Sequence, residues 1–359
     1  MPPGPITKTA IDMAAGLRSE IRRKIDAGTL VYSDYFPDSA RARQFGAGGA
    51  RITIDKRLQA QLEIYERRVA NGTMARSTLD GYAKAIASER MGFWTGKPLT
   101  VSPSELRTWV ASLDVTAKFA RNLMIPLRSV FEDALNDELI DFNPFERIAL
   151  DKLLKQSTKA SDYEVDPYTA DERAALIGAA RPDEAPMLRF WFGTGLRPGE
   201  LMALRWMKID WTNRKARIDL NLVAGAEKGP KTAAGLRDID LNEDALAALI
   251  AQKPLTHEAG QHVFRNPRTG SAWTTDAQVR KTLWVPLHER ARVRYRNPYQ
   301  ARHTWASSVL TAGANPWYVA AQLGHVDVQL VFSTYGKFIP EDYKAPRAPA
   351  LRVVGGSDA

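Results

Sequence analysis

Apolar residues recur three and four positions apart through much of the chain, and those stretches predict helices. Residues 8–27 carry Ile11, Met13, Ala14, Leu17, Ile21 and Ile25 near helical spacing, with Arg18, Arg22, Arg23 and Lys24 between them and Gly28 as a stop. This predicts one amphipathic helix. The stretch from Tyr32 to Gly49, with Tyr35-Phe36-Pro37 and then Gly46, Gly48 and Gly49, predicts an extended linker and a boundary near residue 52. Helical spacing returns over Leu58 to Ala70, Ser77 to Arg90, Ser102 to Leu113 and Thr116 to Glu138, and Asn143-Pro144 ends the run. Ser102-Pro103-Ser104-Glu105 is a helix start, with Ser102 as cap and Pro103 in the first turn. These residues predict a helical domain of four or five helices.

The polar stretch 153–166 reads as a linker, and Thr169-Ala170-Asp171-Glu172 starts another helix. After Trp206 the period changes to two. Ile209-Asp210-Trp211, Ala216 to Leu220 and Arg237 to Leu241 alternate like strands, with turns at Thr212-Asn213 and Gly229-Pro230. Helices resume near Glu243 and continue to Tyr335, and a flexible tail is expected from Lys344. The expected fold is mainly α with a small antiparallel β-sheet in the second large domain. Its expected divisions are an N-terminal helix and extended segment (1–52), a helical domain (53–160), a mixed domain (161–343) and a tail (344–359).

Composition narrows the function. At 359 residues, with 44% hydrophobic and 25% charged residues, the chain has the profile of a folded protein of two or three domains. Lysine and arginine exceed aspartate and glutamate by 50 to 41, which favours a polyanionic partner. With no cysteine, disulfides, thiolate metal sites and cysteine nucleophiles are excluded. The histidines His257, His262, His288, His303 and His325 lack close zinc-type pairing, so neither metal nor other cofactor is expected. No apolar run reaches the roughly 18 residues of a membrane helix, and the start lacks a signal-peptide pattern, so a cytoplasmic location is expected.

The chemistry lies in a set of polar residues in the second half: Arg197, Lys231, Arg302, His325 and Tyr335. Thr194-Gly195-Leu196-Arg197-Pro198-Gly199-Glu200-Leu201 places Arg197 at a helix start fixed by Pro198, where a guanidinium can donate two parallel bonds to a phosphate. Glu200 is there to orient Arg197 or to cap. Lys228-Gly229-Pro230-Lys231-Thr232 puts two lysines at a turn between strands, where an ammonium on a long stem can reach a leaving oxygen. Tyr299-Gln300-Ala301-Arg302-His303-Thr304 opens a helix after Asn297-Pro298. Asn315-Pro316 starts a shorter one that stops at Leu323-Gly324-His325, and the next segment ends at Tyr335-Gly336. Cations and a histidine around a tyrosine suit one task, holding a phosphodiester while a phenolic oxygen attacks it.

These motifs resemble those of the tyrosine recombinases, or phage integrases, over roughly residues 55–340. The resemblance implies a helical core-DNA-binding domain and a catalytic domain forming a clamp on double-stranded DNA. It implies that Tyr335 is the nucleophile, that Arg197 and Arg302 clamp the scissile phosphate, that His325 hydrogen-bonds it, and that Lys231 protonates the leaving 5′ hydroxyl, with Lys228 a second candidate. A 3′-phosphotyrosyl link would conserve the bond energy, so no cofactor is implied. A homotetramer on core recombination sites follows from cutting both strands of two duplexes, with a directionality factor or host architectural protein as a further partner. The implied function is integration or excision of a mobile element such as a prophage. The alternatives are a tyrosine-dependent topoisomerase-like enzyme and a non-catalytic DNA-binding protein.

Two departures stand out. The family often carries histidine three residues before its second arginine, where this chain has Tyr299, a hydrogen-bond donor but no proton shuttle near neutral pH. His303 points about a hundred degrees round the helix from Arg302 and is expected to be structural. The N-terminal segment shows the helix of an arm-site-binding domain without strands ahead of it, so a truncated arm region is expected.

Overall fold

The computed structural model describes residues 7–27, 29–39, 52–161, 163–230 and 232–340. The chain divides into two units, Met1–Asp162 and Tyr163–Ala359. The expected tail and residues 40–51 of the expected linker lie outside the described residues.

The first unit is helical among its described residues. Helix Lys8–Asp26 is capped by Thr7 and has no buried residue; Ile11, Met13, Leu17 and Ile25 all face water. A short helix, Tyr32–Tyr35, occupies the beginning of the segment expected to be extended, and the Tyr35 hydroxyl donates to Glu20 at 2.5 Å. Helices Ile54–Ala70, Arg76–Ile86, Pro103–Ser112 and Ala117–Asn136 realise the helical periods of the sequence. Ser102 caps as expected, accepting from the Glu105 amide at 3.1 Å. The core joins Leu58, Trp94, Leu106, Trp109, Leu123 and Phe131. Each buried leucine of this set contributes about 2 kcal/mol of transfer free energy. The polar stretch after residue 153 is helical at its start rather than a linker, because helix Leu150–Ser157 buries Leu154 in that core.

The second unit holds two packed groups. The larger core gathers Trp191, Phe190, Leu201, Ile239, Leu249, Phe264 and Trp284 from helices Ala185–Thr194, Pro198–Ala203 and Glu243–Thr256, a three-stranded sheet, and the flanking segments. That sheet is antiparallel in the order β1 (Ile209–Asp210), β2 (Lys215–Ile218), β5 (Arg237–Asp240), and the alternation of the sequence holds, with Ala216, Ile218 and Ile239 buried. Between β2 and β5 a second sheet appears that the sequence pattern did not reveal, the hairpin of β3 (Asn221–Val223) and β4 (Ala226–Lys228). Three-residue strands with no fully buried position carry too little alternation to register. Helices Gln300–Thr311, Pro316–Leu323 and Gln329–Tyr335 close on a smaller core of Trp305, Leu310, Val319, Leu323, Val331 and Tyr335 itself. The fold is thus mainly helical, with two small antiparallel sheets among the described residues.

Candidate active site

Four of the five principal site residues of the sequence lie among the described residues; Lys231 lies outside them. Arg197 precedes helix Pro198–Ala203 in extended conformation, so its side chain leaves the chain where helical amides begin. Its Nη1 donates to Glu200 Oε1 at 2.7 Å, and its amide donates to Glu200 Oε2 at 3.0 Å. Burial opposes the charge of Arg197, but Glu200 and the neighbouring Tyr299 together raise its pKa. Glu200 therefore both caps and orients, uniting the two roles offered for it.

Glu200 is buried and answered from a second side by Arg237 of β5, with Nη1 to Oε1 at 3.1 Å and Nη2 to Oε2 at 2.9 Å. Burial alone would raise its carboxyl, but Arg237 and then Arg197 outweigh that and hold it at about 2. Arg237 also donates from Nε to the carbonyl of Gln322 at 2.7 Å, fastening β5 to the end of helix Pro316–Leu323.

That helix stops at Gly324, whose φ of +67° is the left-handed cap geometry favoured by glycine. A Cβ there would stand 2.9 Å from both the Ala234 carbonyl and Arg237 Nη1. The stop delivers His325, whose Nε2 lies 3.1 Å from Arg302 Nη2. Burial and then the charge of Arg302 lower the His325 pKa to about 3, so its imidazole is neutral.

Arg302 is fully buried in helix Gln300–Thr311. Its Nη1 donates to the Gly195 carbonyl at 3.2 Å and its Nη2 to the Leu323 carbonyl at 2.6 Å, while Nε has no partner among the described residues. Burial, helped by Arg197, lowers its pKa to about 10. One guanidinium thus joins its own helix to the Arg197 loop and to the Leu323-Gly324-His325 helix stop, three segments far apart in sequence. Such a joined set of cations is a site for an oxyanion.

Tyr335 closes helix Gln329–Tyr335 and is buried, and burial raises its pKa. Its hydroxyl meets Nδ1 of His303 at 2.7 Å. The sequence reading gave His303 a structural part only. The structure brings it to the phenol instead, because the side chain one step past Arg302 faces helix Gln329–Tyr335 rather than the arginine cluster. Its helical angle carried that signal, read against the wrong partner. Tyr299 packs against His303, ring centres 5.1 Å apart.

Lys228 is half-buried at the end of β4, opposite Asn221, and so belongs to a strand rather than the turn. Its hairpin rests on the Arg197 helix at Gly199, where a Cβ would come within 2.1 Å of Asn221 Oδ1 and 2.5 Å of the Leu222 carbonyl. The glycine two positions after Arg197 is thus a contact surface for the lysine-bearing hairpin.

The profile of the phage integrase family matches residues 168–338, and that of an arm DNA-binding domain matches residues 2–40. IntQ of Escherichia coli (strain K12), named as a defective protein, is 31% identical over 370 residues, covering 92% of this chain and 90% of that protein. Among solved structures, the fold is similar to that of the Tn1549 transposon integrase in complex with a circular intermediate DNA, with a TM-score of 0.65 at 18% identity, covering 79% of this chain and 94% of that one. It is also similar to the lambda integrase tetramer bound to a Holliday junction, with a TM-score of 0.57 at 17% identity, covering 98% of this chain and 92% of that one.

Proposed function

We infer the roles of individual residues from one premise: the chain belongs to the phage integrase family, the tyrosine-type site-specific recombinases. It is an enzyme that breaks and rejoins DNA. Tyr335 attacks the scissile phosphorus, and Arg197 and Arg302 neutralise the charge that develops on the non-bridging oxygens. His325 donates to the same phosphate. With Nε2 accepting from Arg302, the proton of the neutral ring lies on Nδ1, which has no partner among the described residues and is the nitrogen left to donate. Lys231 protonates the leaving 5′ oxygen, with Lys228 as its reserve, and Tyr299 supports Arg197. The 3′-phosphotyrosyl link keeps the energy needed for religation without a cofactor.

The observation that carries this reading is the Arg302 guanidinium, buried with no ion-paired carboxylate among the described residues, between two carbonyls and His325. A fully buried cation without a counterion costs several kcal/mol, which an arriving phosphate offsets.

Residues 53–160 serve as the core-DNA-binding domain and residues 161–343 as the catalytic one. The arm profile supports a second DNA-binding role for the N-terminal segment, whose exposed helix carries Arg18, Arg22, Arg23 and Lys24. Since both strands of two duplexes must be cut, four copies assemble on the core sites, and the likeness to the lambda tetramer supports that count. The physiological reaction is integration or excision of a mobile element.

Covalent trapping tests the reading. Wild type and Tyr335→Phe are incubated with element and host DNA fragments and denatured, and the DNA left on protein is sequenced. Adducts confined to wild type and to one sequence are expected and give the core site. Adducts scattered over all sequences would favour a topoisomerase, and adducts on Tyr335→Phe would remove the tyrosine from its role. Arg197→Ala should lower cleavage about a hundredfold with DNA binding kept.

A further inference from the structure

The hydroxyl of Tyr335 lies at the end of a hydrogen-bonded row that the motifs leave unused. Nδ1 of His303 is 2.7 Å from the Tyr335 oxygen, and Nε2 of the same ring is 2.6 Å from the Tyr163 hydroxyl. Tyr335 and His303 are both buried, at 1% and 5% exposure, so water does not compete for the bond between them, while Tyr163 reaches the ring from an exposed position, at 55%. A neutral imidazole offers one N–H and one lone pair. With Nε2–H directed at the Tyr163 oxygen, the lone pair falls on Nδ1 and faces the phenolic proton.

We propose that His303 accepts the proton of Tyr335 as its oxygen attacks phosphorus, and that Tyr163 holds the imidazole in the accepting tautomer. The inference rests on Tyr335 being the nucleophile. In the step, the bond from the Tyr335 oxygen to phosphorus forms as the bond from phosphorus to the 5′ oxygen breaks. The phenolic proton passes to His303 Nδ1, and the leaving oxygen takes a proton from the lysine side. Religation runs the same transfers backwards, with His303 returning the proton to Tyr335.

The groups facing His303 set when this happens. Among the described residues, Arg302, the preceding residue of the same helix, supplies the charge that acts on it; Tyr163, Tyr299 and Tyr335 supply hydroxyls and ring faces. Burial and then Arg302 hold the ring neutral, at about 4, while burial raises Tyr335. A phosphate anion against Arg302 and Arg197 offsets the charge that opposes an imidazolium, so His303 gains basicity when DNA is seated. Coupling of this kind would keep a lone nucleophile silent. Tyr299, the residue at the position where relatives often hold histidine, is not bonded to the Tyr335 hydroxyl, and His303 fills the gap from the next face of the helix.

Single-turnover cleavage by the full-length protein, on a duplex carrying the core site recovered by trapping, tests this. His303→Asn presents an amide oxygen near Nδ1 that can accept the hydrogen bond but not the proton, and retained DNA binding shows that it folds. Its cleavage should fall about a hundredfold or more, with a residual rate that climbs with pH as hydroxide replaces the base. A substrate with a 5′-bridging sulfur, whose thiolate leaves unprotonated, should rescue Lys231→Ala but not His303→Asn. Tyr163→Phe should slow cleavage less. Wild-type rates in His303→Asn, or its rescue by the sulfur substrate, would overturn the proposal. Tyr335→Phe in parallel separates the two failures: adducts on that variant sink the nucleophile assignment, whereas their loss beside an active His303→Asn sinks only the role of His303.

Discussion

Arg237 and Glu200 form a two-pronged pair, with nitrogen–oxygen distances of 3.1 and 2.9 Å and side chains 7% and 5% exposed. The pair links β5 to the first turn of the helix that carries Arg197, so the position of one site arginine depends on a second arginine that never needs to touch DNA. Glu200→Gln keeps the shape but removes the charge that both guanidinia face. Leaving a buried charge without its partner costs about 3–5 kcal/mol. Urea denaturation should show a loss of that order, and trapping should show reduced cleavage even at temperatures where the variant remains folded. Unchanged stability would mean that Arg237 finds other partners in the Gly235 and Gln322 carbonyls.

Gly199→Ala tests the contact between the Arg197 helix and the hairpin. The added methyl would overlap Asn221 Oδ1 and the Leu222 carbonyl, and the second of these is backbone. The hairpin must shift, carrying Lys228 with it. Overpacking of this kind costs about 1–3 kcal/mol. The expected result is a modest drop in melting temperature and a larger drop in cleavage, repaired on a 5′-bridging sulfur substrate because the fault lies with the proton donor. Failure of the sulfur to help would place the damage at Arg197 instead.

Much of this architecture is written in local signals. The caps at Ser102 and Thr169, the stop at Gly324 and the burial of alternate residues in β2 and β5 were all legible, because each depends on residues within a few positions of one another. The motif residues were legible as a set for the same reason: Arg197, Arg302 and His325 each sit at a helix start or stop with its own sequence marks. What stayed hidden needs partners distant in the chain. Arg237 reads as an alternating strand residue, and nothing near it names Glu200, 37 positions away. His303 has its partners 140 residues before and 32 after, so its helical angle could be computed while the tyrosines it faces could not. The β3–β4 hairpin is too short for periodicity to reveal, and helix Leu150–Ser157 was masked by its polar face.

Acid should weaken the catalytic unit in two steps. His303 and His325 have folded pKa values of about 4 and 3, below the ordinary value of about 6.5. A depressed folded value means that the unfolded chain takes up the proton first, so stability is full above about pH 6.5 and declines as pH falls toward 4. Glu200, at about 2 when folded, adds a second loss of the same sign below about pH 4.5. Melting temperature measured against pH should therefore begin to fall well above the carboxylate range. His303→Asn should flatten the upper part of that fall and leave the lower part intact. A curve that stays level down to pH 4.5 in the wild type would contradict neutral burial of the two imidazoles.

Arg302→Lys is the substitution most often thought conservative and here should be the most damaging. The guanidinium fork serves the Gly195 carbonyl, the Leu323 carbonyl and His325 from two different nitrogens, and an ammonium on a shorter reach cannot span the set. The charge itself is also at risk. Burial, and then Arg197, bring the arginine down to about 10; a lysine starts lower still, so the same surroundings bring its loss of charge closer to neutral pH. The variant should bind core DNA, cleave at least about a hundredfold more slowly, and lose its residual activity as pH rises above neutrality, while wild type does not. That slope opposes the one expected of His303→Asn, whose residual rate climbs with pH. A single cleavage assay run across pH on both variants thus separates loss of a phosphate-binding cation from loss of a proton acceptor, two groups that are neighbours on one helix.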